Sequence, residues 1–441
     1  MSMRVVHVLV AIITVTATLI GVQAYLSRLT PAEAKAVQAA RQGPPTYVLP
    51  PGKVGRAVAL AGTRRSLTVA AEAILPVELL LLLISGAAGW MRDAACRMSS
   101  RRWIQGYGFL FLLLLALQLL SLPLQIWGHR VGLAYGLSVQ GWGSWVIDKA
   151  KLFALVWGLG GLLVMLLFWV IRKSPGKWWV RFWMAAVGVT IAGVFASPYV
   201  FDPLFNQFEP LAKSDPALVK QLERVVARGG LSIPAERMFL MKASAKSTEL
   251  NAYVTGFGAS KRVVVWDTTI AKSSPDEIAF IFAHEMGHYA LGHVLLGTVL
   301  TCAVMLPLFS IANDCMGWIL ARWGARWRIS GQQDWAALVV LLFVLAAISA
   351  LSDPLSNGVS RAVEHAADVY GQEAMHGIIA DPQTIGVRTF QVLGEESLND
   401  PTPHPAFDWW FGTHPPLWFR SSFAAAYDPW RAGEHPKYFV K

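Results

Sequence analysis

Charge is scarce in this 441-residue chain: Asp, Glu, Lys and Arg together make up 15% of it, against about 25% in ordinary soluble proteins. With so little charge and so much apolar content, disorder is excluded. Cysteine is scarcer still, at Cys96, Cys302 and Cys315 only, too few for a disulfide scaffold. No internal repeat is present. What the chain has instead is apolar residues, 54% of the total, with a mean hydropathy of +0.44. A soluble fold of this size could not bury them, so the expected solvent is a membrane. On that background the formal charge of +10 points to anionic lipid headgroups and away from nucleic acid.

A helix needs about 20 mostly apolar residues to cross the hydrocarbon core. Seven segments qualify: 5–26, 74–90, 104–127, 151–170, 182–200, 294–311 and 335–352. The first is expected to stay as a span, because no small-residue cleavage site follows its long apolar stretch. An odd count places the two termini on opposite faces. Basic residues such as Arg97, Arg102, Arg172 and Arg326 crowd the short connections, which favours a cytoplasmic setting for that face. Basic residues between Arg28 and Arg65 on the other face leave the orientation open. The expected divisions are 1–200 (spans one to five), 201–273 (an extramembrane cleft region), 274–353 (a catalytic helix with spans six and seven) and 354–441 (a second site helix and the C-terminal cleft region).

Within the polar region, 217–228 has helical spacing and ends at Gly229-Gly230, while 252–255 and 262–267 read as strands joined by a Gly256-Phe257-Gly258 turn. Ser274-Pro275-Asp276-Glu277 then starts a helix: a Ser cap, Pro in the first position and acids in the first turn. On that helix stands His284-Glu285-Met286-Gly287-His288. At 100° per residue the two histidines lie about 40° apart on one face, able to share a zinc, with Glu285 placed to take a proton from the attacking water. This HExxH pattern lacks a third ligand. The longer zincin motif fails, because Leu291 and Val294 occupy its Gly and final His positions. His293, nine residues from His284, would face the other way on a continuous helix and is read as interfacial. The missing ligand is sought on 360–375, where Glu364 and Asp368 share a face: Glu364 as ligand, with His365 as its rival, and Asp368 accepting from a ligating imidazole. Arg361 would hold a carboxylate or orient substrate.

Together Asn251-Ala252-Tyr253, the HExxH helix and Asn357-x-x-Ser360-Arg361-x-x-Glu364-x-x-Ala367-Asp368 resemble the integral-membrane zinc metalloproteases of the CaaX prenyl protease type. Pro203-Leu204-Phe205-Asn206 and His414-Pro415-Pro416-x-x-x-Arg420 match as well, so the likeness runs from about Gly132 to Arg420. It implies an all-α multi-pass membrane protein, seven transmembrane helices enclosing a chamber, with a zincin-like metalloprotease site and a small strand element. It implies one zinc held by His284, His288 and Glu364, Glu285 as general base, and Asp368 orienting a ligand histidine. Asn251 and Ala252 would lie on an edge strand that pairs with extended substrate, with His293 among the substrate-side residues. His414 and Arg420 would line the cleft, and Arg420 or a histidine would stabilise the oxyanion. Two positions depart from the eukaryotic pattern: Gly292-His293 stands for Asn-His, and His365 for Phe.

The expected partners are the lipid bilayer and a peptide or protein substrate, prenylated or membrane-associated, with no nucleic acid and a monomeric chain. The setting is a prokaryotic inner membrane or a eukaryotic endomembrane. A quality-control protease without prenyl specificity is the alternative. A transporter or scaffold would be equally hydrophobic and basic but would need no HExxH followed by a Glu/Asp helix. Finally, the absence of a Gly/Pro-rich linker after His293 predicts that the catalytic helix and the next span form one nearly continuous rod.

Overall fold

The computed structural model describes residues 3–256 and 261–440. In chain order the helices and strands are α1 (Met3–Leu26), α2 (Pro31–Gln42), α3 (Pro51–Ile84), α4 (Ala87–Met98), α5 (Arg102–Tyr135), α6 (Trp142–Lys173), α7 (Trp178–Ala196), α8 (Asp202–Phe205), β1 (Phe208–Pro210), α9 (Leu211–Ser214), α10 (Pro216–Arg228), β2 (Met238–Met241), β3 (Ala252–Thr255), β4 (Arg262–Trp266), α11 (Asp267–Lys272), α12 (Pro275–Ala290), α13 (His293–Trp323), α14 (Ala337–Met375), α15 (Pro382–Glu396), α16 (Pro405–Phe411) and α17 (Leu417–Ala426). Among the described residues seven helical segments are long and apolar enough to cross a bilayer. Even the best covered of their apolar windows is only 33% buried, which is a favourable surface in lipid and a costly one in water.

These helices are longer than the sequence suggests. The second span, expected at 74–90, belongs to α3, which starts at Pro51 and stops at Ile84; Gly86, at φ 75°, turns the chain into α4. At 1.5 Å per residue the 34 residues of α3 and the 39 of α14 reach about 50 and 60 Å, against about 30 Å of hydrocarbon. The excess carries both helices beyond the bilayer, where they wall the site.

Two expectations about helix ends are reversed. The rod through α12 and α13 breaks: Leu291 N–H donates to Gly287 O (2.9 Å), Gly292 N–H to Tyr289 O (3.1 Å), and Gly292 adopts φ 69°. A glycine in the left-handed conformation closes the α12 carbonyls and re-aims the chain. Pro354, which stands between the apolar segment 335–352 and the helix sought on 360–375, instead lies inside α14, which runs through both. Its missing donor is tolerated where neighbouring helices support the backbone. One helix therefore runs from the bilayer to Glu364.

The strands form one sheet in the order β1-β2-β4-β3. β3 and β4 pair antiparallel, with Ala252 opposite Val265 and Thr255 opposite Arg262, and β2 joins β4 in parallel. The expected strand pair is present, although Asp267 begins α11; the 256–258 turn expectation falls on residues of which 257 and 258 lie outside the described set. The helix expected at 217–228 appears as α10. Val263 and Val265 join Leu222, Phe282 and Met286 in a core between sheet, α10 and α12. That core, not the bilayer, fixes the HExxH helix. From below, Glu373 of α14 accepts the backbone N–H groups of Lys437, Tyr438 and Phe439 and the hydroxyl of Tyr427, so the C-terminal segment braces the same helix.

Candidate metal centre and peptide cleft

The start of α12 is a full capping box: Glu277 N–H donates to the Ser274 hydroxyl (3.3 Å) and Ser274 N–H to the Glu277 carboxylate (2.7 Å). It fixes the phase of the helix, so His284 and His288 meet one turn apart on the face toward α14. The two helices approach unusually closely there. A Cβ on Gly371 would lie 2.9 Å from His284 N and 3.1 Å from its Cα, backbone atoms that cannot yield. Gly371→Ala is therefore expected to cost about 1–3 kcal/mol and to weaken metal binding by spreading the helices. Thermal unfolding in detergent, with and without chelator, reads both effects; an unchanged midpoint and metal affinity would refute this role for the close contact.

Facing each other across that contact are His284 Nε2, His288 Nε2 and the Glu364 carboxylate. The two nitrogens are 3.2 Å apart, Glu364 Oε2 is 3.3 Å from His284 Nε2, and Oε1 is 3.5 Å from His288 Nε2. Ligand atoms placed tetrahedrally about 2.0–2.1 Å from a zinc ion stand about 3.3 Å from one another. Glu364 Oε2 is also buried with no hydrogen bond, an orphan acceptor of the kind a cation satisfies. The donor set and its spacing fit a metal. His365, the rival, packs its ring against Phe423 at 4.7 Å, with Nε2 3.9 Å from Glu33, away from this group.

Each imidazole is held from behind. His284 Nδ1 lies 2.9 Å from Asp368 Oδ1, and Arg420 grips Asp368 with two bonds, Nε to Oδ2 (2.8 Å) and Nη2 to Oδ1 (2.6 Å). His288 Nδ1 meets His293 Nδ1 at 3.1 Å. The break at Gly292 makes this second contact, because on an unbroken helix His293 would face away; Gly292 before the next apolar run was the only signal for it. Arg420, expected to stand near the oxyanion, is placed on Asp368 with its guanidinium over the Phe390 ring (4.6 Å). Arg361 holds backbone carbonyls of Asp408 and Gly412, anchoring the loop that carries His414. His414 Nε2 reaches Glu364 Oε2 at 3.3 Å from an exposed rim.

Glu285 opens on a cavity of about 150 Å³ shared with Asn251, Phe390, His414 and Arg420. Burial, opposed by His284 and reinforced by Glu364, pushes the Glu285 carboxyl up to about 7. Burial also pushes His288 down to about 3, with His284 adding to it, leaving a neutral ring suited to ligation. A larger cavity of about 670 Å³, reaching Arg64 and Arg65 of α3, shares Leu250, His414 and Arg420 with the first. Above it, β3 is the last strand of the sheet. The Ala252 side chain is fully buried, while Tyr253, Val254 and Thr255 of the same strand are partly exposed. Asn251 is fixed through Thr269, whose hydroxyl accepts its N–H and donates to its carbonyl, both at 2.8 Å.

Comparison with known proteins gives the family and the fold. The sequence model of peptidase family M48 matches residues 212–426, and that of the CAAX prenyl protease N-terminal region, five membrane helices, matches 35–207. The likeness therefore begins well before Gly132. The chain is 34% identical over 346 residues to the uncharacterized metalloprotease YhfN of Bacillus subtilis, covering 78% of this chain and 79% of that protein. It is 25% identical to a CAAX prenyl protease 1 homolog of Caenorhabditis elegans, over 64% of this chain and 68% of the relative. The crystal structure of S. mikatae Ste24p has the same fold, with a TM-score of 0.72 over 94% of this chain and 98% of that one, at 21% identity.

Proposed function

We propose that this chain, which belongs to peptidase family M48 as a multi-pass membrane metalloprotease of the CaaX prenyl protease type, holds one zinc ion on His284, His288 and Glu364 and uses Glu285 as the general base of peptide-bond hydrolysis. The observation that carries the reading is the largely enclosed triangle of ligand atoms, 3.2–3.5 Å on its sides, beside a cavity lined by the Glu285 carboxyl. A bound zinc supplies Lewis acidity, polarising the scissile carbonyl and making water nucleophilic at neutral pH. The Glu285 carboxylate takes the proton from the attacking water and returns it to the leaving amine nitrogen. His414 on the rim is a donor for the developing oxyanion. Arg420 acts through Asp368, holding the carboxylate that orients His284.

The substrate is an extended segment of a membrane-associated protein, laid against β3 as an added strand, with Asn251 and Ala252 contributing backbone. We read the chain as working as a monomer. A prenylated CaaX peptide and its unmodified counterpart, compared at matched concentrations in the same detergent, measure what the prenyl group adds. Cleavage of neither, by protein that binds zinc, would remove CaaX peptides from the substrate class.

His293 positions His288 in this scheme. His293→Ala is expected to weaken zinc binding about 10–100-fold, the usual loss for an outer partner of a ligand, and His293→Asn or Gln to recover part of it. Competition with a chelator decides it; unaltered affinity in the Ala variant would leave His293 as packing alone.

A further inference from the structure

About 40 Å from the metal group along α14, at 1.5 Å for each residue between Ala337 and Glu364, the other end of the bundle carries a concentration of positive charge. Two of its acids are already used: Asp93 and Asp334 pair with Arg92, and Asp93 also with Arg328. Arg172, at the end of α6, has no hydrogen-bond acceptor among the described residues, and its Nη1 is closed off from solvent. The guanidinium rests over the Trp335 ring, 5.5 Å from its centroid. Trp335 in turn donates to Gln105 Oε1 (3.5 Å), one turn beyond Arg102, an exposed residue at the start of α5. Arg102 opens α5, a helix with no acid in its first turn and no side-chain cap, so its positive dipole end adds to the two guanidiniums.

Two guanidiniums on one face near a low-dielectric boundary repel one another, and an anion beside them relieves that repulsion. The level in the membrane identifies that anion. Trp103 and Trp169, on the same helix ends, are 56% and 55% exposed, as tryptophans at the headgroup level are. We propose that Arg102, Arg172 and the start of α5 form a binding site for the phosphate of an anionic phospholipid headgroup, with Trp335 as the shelf that holds Arg172 in plane. Arginine suits this task because its planar fork can hold two phosphate oxygens. The site is remote from catalysis and ties the end of α6 to the start of α5 through a bound lipid.

Native mass spectrometry of the full chain in detergent, titrated with phosphatidylglycerol or with phosphatidylcholine, tests the proposal. Phosphatidylglycerol is expected to bind tighter. Its affinity should fall about fivefold in Arg172→Gln and about thirtyfold when Arg102→Gln is added, with peptide cleavage in detergent unchanged. Arg172→Lys should fall between, having charge without the fork. Arg326→Gln, an exposed arginine on the same face, should change it less than twofold. Equal binding of the two lipids, full affinity in the double variant, or an equal loss in Arg326→Gln would each overturn the site. If inorganic phosphate at millimolar concentration displaced phosphatidylglycerol completely, the site would be one for free anions and the lipid assignment would fall.

Discussion

Glu285→Gln is expected to lower peptide cleavage by about 10²–10⁴-fold, the range for losing a positioned general base, while zinc content and unfolding temperature stay those of the parent. The amide is nearly isosteric and keeps the contacts of Glu285 with its cavity, but it neither accepts the water's proton nor delivers one to the leaving nitrogen. The metal group is untouched, because Glu285 is not among the three residues whose donor atoms converge. Burial, the largest influence on it, pushes the Glu285 carboxyl up to about 7, above the ordinary carboxylate range, as expected of a carboxyl enclosed beside the reacting atoms. Quantified product ends from a reporter peptide, alongside metal analysis of the same sample, separate a chemical defect from a folding defect. Substantial cleavage by a zinc-loaded Gln variant would end the general-base role.

Glu364→Ala should have the largest effect on metal itself. It removes one corner of the ligand triangle and leaves His284 and His288 with a hole where an oxygen stood. Zinc affinity is expected to fall by more than the roughly 10–100-fold expected for Asp368→Asn, which leaves all three ligands in place but loosens the His284 ring and the grip of Arg420. His365→Ala should leave affinity within about twofold, since that ring faces Phe423 and Glu33. A chelator titration across the three variants gives the ranking. If His365→Ala lost more zinc than Glu364→Ala, the ligand set would be wrong.

Much of this protein was legible locally. Seven apolar segments declare a multi-pass membrane chain because burial in lipid depends on composition over 20 residues and little else. The Ser274 cap and the i, i+4 histidines declare a helical metal motif because capping and the 100° period act within a turn or two. Spacing also put Glu364 and Asp368 on one face, and the resemblance added Arg420 and His414. Other features were beyond local rules. Whether Gly292 would break the rod depended on what His293 would gain by turning back, and that gain, His288 Nδ1, belongs to the preceding helix. Whether Pro354 would end a helix depended on the neighbours that support α14 through the proline. Arg420 could be assigned to the cleft from its motif, but its hold on Asp368 follows from α17 packing beside α14 and α15. By itself the sequence determined the solvent, the span count and the helical phase of the HExxH residues, because each is written in short-range composition and period. Only the tertiary structure decided which helix stays unbroken, which histidine supports which, and where each charge is paired. The hold of Arg420 on Asp368, across 52 residues of chain, exists only once the core between α12, α14 and the sheet has closed.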